Sequence, residues 1–142
     1  MADSESDDDA SAGGGGGGEA GSIVVLDPDQ NSRNDAEDLE DEFDRQVIAM
    51  DSMDFDTEAS EDVLEAAVYI VSWNLGIRAG ADILEEIRFN PRLADKKVIV
   101  AISEPTKTVV RWAMMLGADA VCALPYDPEE VGERLEAIEN AA

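Results

Sequence analysis

The chain contains no histidine, one cysteine and only 10 Lys+Arg against 34 Asp+Glu, a formal net charge of -24 over 142 residues. Each shortage removes a class of function. Without His, and with Cys122 alone, the ligands of a structural zinc site are missing. No internal disulfide can form either, which fits a reducing compartment. A nucleic-acid binder needs clustered Lys and Arg to displace phosphate counterions, and no basic stripe occurs, so DNA and RNA are not expected partners. The same charge disfavours an anionic membrane surface. No run approaches the ~18 continuous apolar residues of a transmembrane helix, and the N-terminus is acidic where a signal peptide is basic. The expected location is therefore cytoplasmic, without membrane insertion. What the chain does have is 44% hydrophobic residues, enough to build a core in spite of the charge.

The acids are unevenly placed. Residues 1–22 hold six acids and no base, residues 23–62 fifteen acids and two bases, and residues 63–142 thirteen acids and eight bases. The first segment, with Asp7-Asp8-Asp9 and a glycine run from Gly13 to Gly18, has too little apolar area to offset ordering entropy, so a disordered acidic tail is expected over 1–22. Residues 23–142 form the expected domain. Its first third should be one intensely negative flank, suited to steering basic partners. A halophilic source would also enrich acids, but would spread them over every helix.

Within 23–142, short apolar runs alternate with helical patterns. Ile23–Leu26, Val47–Met50, Val68–Val71, Val98–Ile102 and Ala120–Leu124 read as buried strands. Between the first two strands Ala36, Leu39 and Phe43 share one helical face, a narrow stripe among repelling acids. Asp51 to Asp56 reads as an acidic loop. Further helices are expected over Thr57–Ala67, around Ile83, Leu84 and Ile87, and over Thr106–Leu116, the last stopped by Gly117. A final helix opens with Asp127 as N-cap, Pro128 at its first position and Glu130 completing a capping box, and buries Val131, Leu135 and Ile138. Five strands alternating with five helices predict an α/β fold, a doubly wound parallel sheet with helices on both faces and any site at the carboxyl ends of the strands.

Several segments resemble a known family. Ser72-Trp73-Asn74-Leu75 through Gly80, Ile83–Arg88, Asn90-Pro91-Arg92-Leu93, Val98-Ile99-Val100, Gly117-Ala118-Asp119 and Pro125-Tyr126 follow one another at the spacing of response-regulator receiver domains. The resemblance covers Ile23 to Ala142 and implies the flavodoxin-like strand order 2-1-3-4-5, with Pro125 preceded by a cis peptide bond. It also implies where phosphorylation chemistry should sit, and most of that chemistry is missing. The phosphoacceptor Asp of the family is Ser72 here. Of the acids that hold Mg²⁺, Asp27 and Asp29 remain, but the second of the adjacent pair is Pro28. The Thr or Ser that reads the phosphate is Ile102, with Ser103 next to it. The phosphate-neutralising Lys is Leu124, and the aromatic switch residue of the fifth strand is Val121.

Phosphoryl transfer depends on a positioned anionic nucleophile and on neutralising spread negative charge. Ser72 has no His to serve as its base, Leu124 carries no charge, and Mg²⁺ wants near-octahedral oxygen ligands. The resemblance therefore points to a degenerate pseudo-receiver, expected to be no enzyme and to hold no cofactor or metal. Its expected role is that of a phosphorylation-independent protein-interaction module in bacterial or archaeal signal transduction. The partner would be another signalling or localisation protein, or a second copy in a homodimer. The expected face includes Trp112, Met115 and Val121, with Ala113 and Met114 turned to the core. Trp73 could plug the degenerate pocket, cap the sheet edge or meet a partner, and Tyr69 belongs to the core. The alternative is a small-molecule-binding regulatory domain lined by Ser72, Ser103, Asp27 and Trp73.

Overall fold

Branched aliphatic runs form the strands β1 (Ile23–Leu26), β2 (Val47–Met50), β3 (Val68–Ser72), β4 (Lys97–Ile102) and β5 (Ala120–Ala123). They pair in parallel in the order β2-β1-β3-β4-β5, as expected. The computed structural model of the protein describes residues 21–55, 60–73 and 80–140. The expected tail lies outside these residues except for Gly21 and Ser22, and so does the start of the second expected helix, Thr57 to Ala59.

Side chains alternate across the strands and divide the core in two. Val24, Leu26, Tyr69, Val71, Val98 and Val100 face one side, against α3 (Glu61–Leu64), α4 (Gly80–Phe89) and α5 (Lys107–Met115). Ile23, Val25, Val68, Ile70, Ile99 and Cys122 face the other, against α1 (Gln30–Glu37), α2 (Leu39–Phe43) and α6 (Pro128–Glu139). β1 and β3 are buried throughout, while the edge strands β2 and β5 are only partly covered. Each fully buried Ile or Leu of these layers contributes roughly 1.5–3 kcal/mol.

The structure departs from the sequence reading in several places. The stripe Ala36, Leu39 and Phe43 is not one helix but two, divided at Asp38, with α2 ending at Asp44 in the left-handed region at φ 52. A narrow stripe and crowded carboxylates give a continuous helix little to hold it, and Asp tolerates the left-handed conformation. Within the acidic loop, Ser52–Asp54 forms a 3-10 turn whose Met53 N–H donates to Asp51 Oδ1 at 3.0 Å. At α6, Asp127 caps Glu129 N–H at 3.0 Å, but Glu130 does not return to the cap. Its Oε1 accepts Ala123 N–H of β5 at 3.0 Å, and Arg134 Nε donates to Val121 O at 2.9 Å. Both bonds cover the exposed edge of the sheet, which outweighs local capping.

One side chain joins three segments below β4 and β5. Arg88, near the end of α4, donates to Ala94 O, Lys96 O and Gly117 O, and to Asp119 Oδ2 at 3.0 Å. Asp119 Oδ2 also accepts Val98 N–H at 2.9 Å, so the pair sets the start of β4. Gly117 adopts φ +115, and a Cβ there would stand 3.0 Å from Arg88 Nε. The expected glycine stop of α5 is thus also a seat for this guanidinium.

Candidate functional site

The carboxyl ends of β1, β3, β4 and β5 meet in one crevice, and the register decides which residues share it. Leu26 pairs with Val71 and Ser72 with Ala101, which sets Asp27 beside Ser72, while Ile102 pairs with Ala123 just before Leu124. The sequence-predicted positions Asp27, Ser72, Ile102 and Leu124 are therefore brought together. Asp27 is fully buried, Ser72 is 1% exposed and Ile102 5%. Leu124 is half-buried against the α1, α2 and α6 layer, its N–H donates to Ile102 O at 2.9 Å, and the Leu124–Pro125 peptide is cis. Ser103 lies exposed at the rim.

Asp27 is held from two sides. Asp29 N–H donates to its Oδ1 at 2.9 Å, and the buried Tyr126 hydroxyl donates to its Oδ2 at 3.2 Å. Asp29 itself is the N-cap of α1, accepting Ser32 N–H at 2.8 Å, and Pro28 links the two acids. Arg33, one turn into α1, donates from Nη1 to the main-chain carbonyl of Asp27 at 2.8 Å and lies 3.8 Å from Asp51 Oδ2. Sequence reasoning missed both Tyr126 and Arg33. For Tyr126 a signal was present, since it directly follows the proline that shapes this loop. For Arg33, one of two bases among fifteen acids, its isolation was the signal.

Burial raises the Asp27 carboxyl above its ordinary range, opposed by the hydrogen bonds from Asp29 and Tyr126. Burial likewise raises the Tyr126 phenol, reinforced by the Asp27 charge. A raised carboxyl binds its proton more tightly in the fold than in the unfolded chain, so its contribution to stability falls as pH rises from the ordinary value of 3.8 through the folded one. Asp27→Asn keeps an acceptor for Asp29 N–H and offers an amide to Tyr126. We expect it to raise the midpoint of thermal unfolding at pH 7 relative to wild type, and the two curves to converge as the pH drops below 4. Melting the two proteins from pH 3 to 8 checks this; a lower midpoint for Asp27→Asn at pH 7 would refute it.

Burial pushes the Cys122 thiol up to about 12, aided by the nearby Glu130, so it is no thiolate at neutral pH. Among the described residues, no group of three or more His, Cys, Asp or Glu is arranged to hold a metal ion. An open cleft lined by Glu40, Asp41, Asp44, Arg45 and Gln46 lies before β2, at the amino end of the strands and away from the crevice.

The second candidate is the outer face of α5. Thr106 caps it, accepting Val109 N–H at 3.2 Å, and Ala113 turns to the core. Trp112 is 51% and Met115 78% exposed, as expected. Met114, expected in the core, is 44% exposed. Ala113 with the half-buried Val109, Val110 and Leu116 already covers the inner side, which leaves Met114 outside. Val121 sits half-buried against the same layer. Trp73, directly after Ser72, is part-buried, and its ring meets Trp112 edge to face, 5.7 Å apart at 89°. Tyr69 is core, its hydroxyl donating to Val63 O at 2.7 Å. Gly80 makes room at Trp73, since a Cβ there would stand 2.5 Å from Ser72 O.

A five-stranded parallel sheet in this order, with the strand-end crevice and the proline turn after β5, is the fold of response-regulator receiver domains. Vibrio cholerae chemotaxis protein CheY4 matches with a TM-score of 0.69 at 14% identity, over 83% of this chain and 98% of that one. The BeF3-activated DrrB receiver domain matches at 0.68 and 21%, over 85% and 98%. The Mn(2+)-bound form of response regulator Rcp1 matches at 0.63 and 16%, over 84% and 91%. At these identities the likeness is one of fold. No protein-family model matches the chain, and no curated protein does. No helix of the described residues is long and apolar enough to cross a membrane.

Proposed function

We propose that this chain is a phosphorylation-independent pseudo-receiver that serves signal transduction by protein–protein contact and not by catalysis. The observation that carries the reading is the crevice: Ser72 stands buried at the end of β3, beside an Asp27 whose two oxygens are already hydrogen-bonded within the fold. Aspartyl phosphorylation needs a carboxylate nucleophile, a metal and a cation around the transferred group. The residues present do not suit Mg²⁺. Asp29 is committed to capping α1, Asp27 is closed in, and Ser72 adds no carboxylate. Arg33 places a fixed positive charge at the end of β1 in addition. Leu124 supplies none where a phosphate would need it. The neighbouring structures include a BeF3-activated receiver domain and a Mn(2+)-bound response regulator. The burial of Ser72 and Asp27 also argues against the crevice as a small-molecule site. The exposed Trp112, Met114 and Met115, close together on α5, offer an apolar surface for an output.

The test is incubation with Mg²⁺ and a small acyl-phosphate donor, followed by intact-mass measurement. The expected mass is unchanged. A stoichiometric, acid-labile gain of about 80 Da, one phosphoryl group, would overturn the proposal.

A further inference from the structure

The charge pattern singles out α5. Among the described helices it alone contains no acid, in a chain of net charge -24. Lys107, Arg111 and Met115 follow one another at helical spacing on its exposed side, next to Trp112 and Met114. Resting on the reading of this face as an interaction surface, we propose that it binds an acidic amphipathic segment of another protein. Apolar side chains of that segment cover Trp112, Met114 and Met115, and its carboxylates meet Arg111 and Lys107.

Charge decides between the possible occupants. A second copy meeting this face with the same face, as two-fold symmetry requires, would bring two sets of Lys107 and Arg111 together without an acid on either helix. A basic partner would be drawn instead to α1 and α2, which lie on the opposite side of the sheet. Those acids hardly oppose an acidic ligand at α5. Two packed layers at about 10 Å each separate them, against a screening length of about 8 Å at physiological salt. Exposed Glu104 precedes the helix near Lys107, so Arg111 is the cation that matters most beside the patch. The edge-to-face contact with Trp73 also orders Trp112 before binding, which lowers the entropy lost on association.

Two synthetic 16-residue helical peptides with the same leucine stripe, one flanked by Glu and one by Lys, test this against the full chain. Binding is read from amide resonances. The Glu peptide is expected to shift α5 and to weaken with salt, and the Lys peptide to shift α1 and α2 but not α5. Arg111→Glu should weaken the Glu peptide at least tenfold, and Trp112→Ala should abolish its binding. Met115→Ala serves the same purpose should Trp112→Ala fail to fold. If Trp112→Ala abolishes binding while Arg111→Glu leaves it unchanged, or the Lys peptide takes α5 equally well, the acidic partner is refuted and the face survives. If neither peptide shifts α5, both fall. A concentration-dependent dimer in sedimentation, lost in Trp112→Ala, would assign the face to a second copy and overturn the proposal.

Discussion

Ser72→Asp is expected to destabilise the fold by roughly 3 kcal/mol or more at neutral pH, the size of an uncompensated buried charge. Ser72 is 1% exposed, and Asp27 directly follows the neighbouring strand, about 4.8 Å away by strand spacing. Asp27 is already raised by burial. A second carboxylate would suffer the same desolvation and also face a like charge, and both effects favour the protonated form. The cost should therefore be greatest above the carboxylates' folded range and shrink as the pH falls and the pair takes up protons. Denaturant unfolding of both proteins at pH 7 and pH 4 measures it. Equal stabilities at pH 7 would mean that the crevice is far better hydrated than its geometry indicates. Restoring the carboxylate should not restore phosphorylation, because Leu124 still supplies no cation. The mass of the substituted chain after treatment with phosphodonor is expected to stay unchanged.

Arg88→Met should cost about 3 kcal/mol, and by a different route. The methionine keeps much of the aliphatic stem and removes only the guanidinium. Lost with it are bonds to the carbonyls of Ala94, Lys96 and Gly117 and the 3.0 Å pair with Asp119. Hydrogen bonds to a charged group are worth about 1.5–3 kcal/mol each, and the set is not additive. The side chain is 22% exposed, so water repairs part of the loss, which keeps the expected cost near that of one or two such bonds. Urea unfolding gives the difference, and a cost below about 1 kcal/mol would show that the three carbonyls are as well served by solvent. By contrast the exposed Arg92–Glu61 pair, although only 2.6 Å apart, should matter little, since both charges stay hydrated.

Much of the fold was legible because burial on both faces leaves a plain mark. Strands such as Ile23–Leu26 and Val98–Ile102 must be apolar at every position, so they stand out from their acidic surroundings. Helix ends were legible where one residue type does the work, as at Asp127, Pro128 and Gly117. Choices that depend on a distant partner were not. Glu130 looked like half of a capping box and instead bonds the edge of β5. Met114 looked like core, but the inner face of α5 was already full. Asp29 looked like a leftover acid of a degenerate metal site, and in the fold it caps a helix.

The sequence by itself determined the alternation of strands and helices, the concentration of acid in the first third and the absence of a carboxylate at Ser72, because these are properties of residue type and local spacing. Only the tertiary structure decided that Tyr126 and Asp29 close around Asp27, that Arg33 reaches the end of β1 and that Trp73 steadies Trp112. Those contacts join segments up to 99 positions apart. Their energies depend on burial and on distances of a few ångströms, quantities that no local pattern of residues carries.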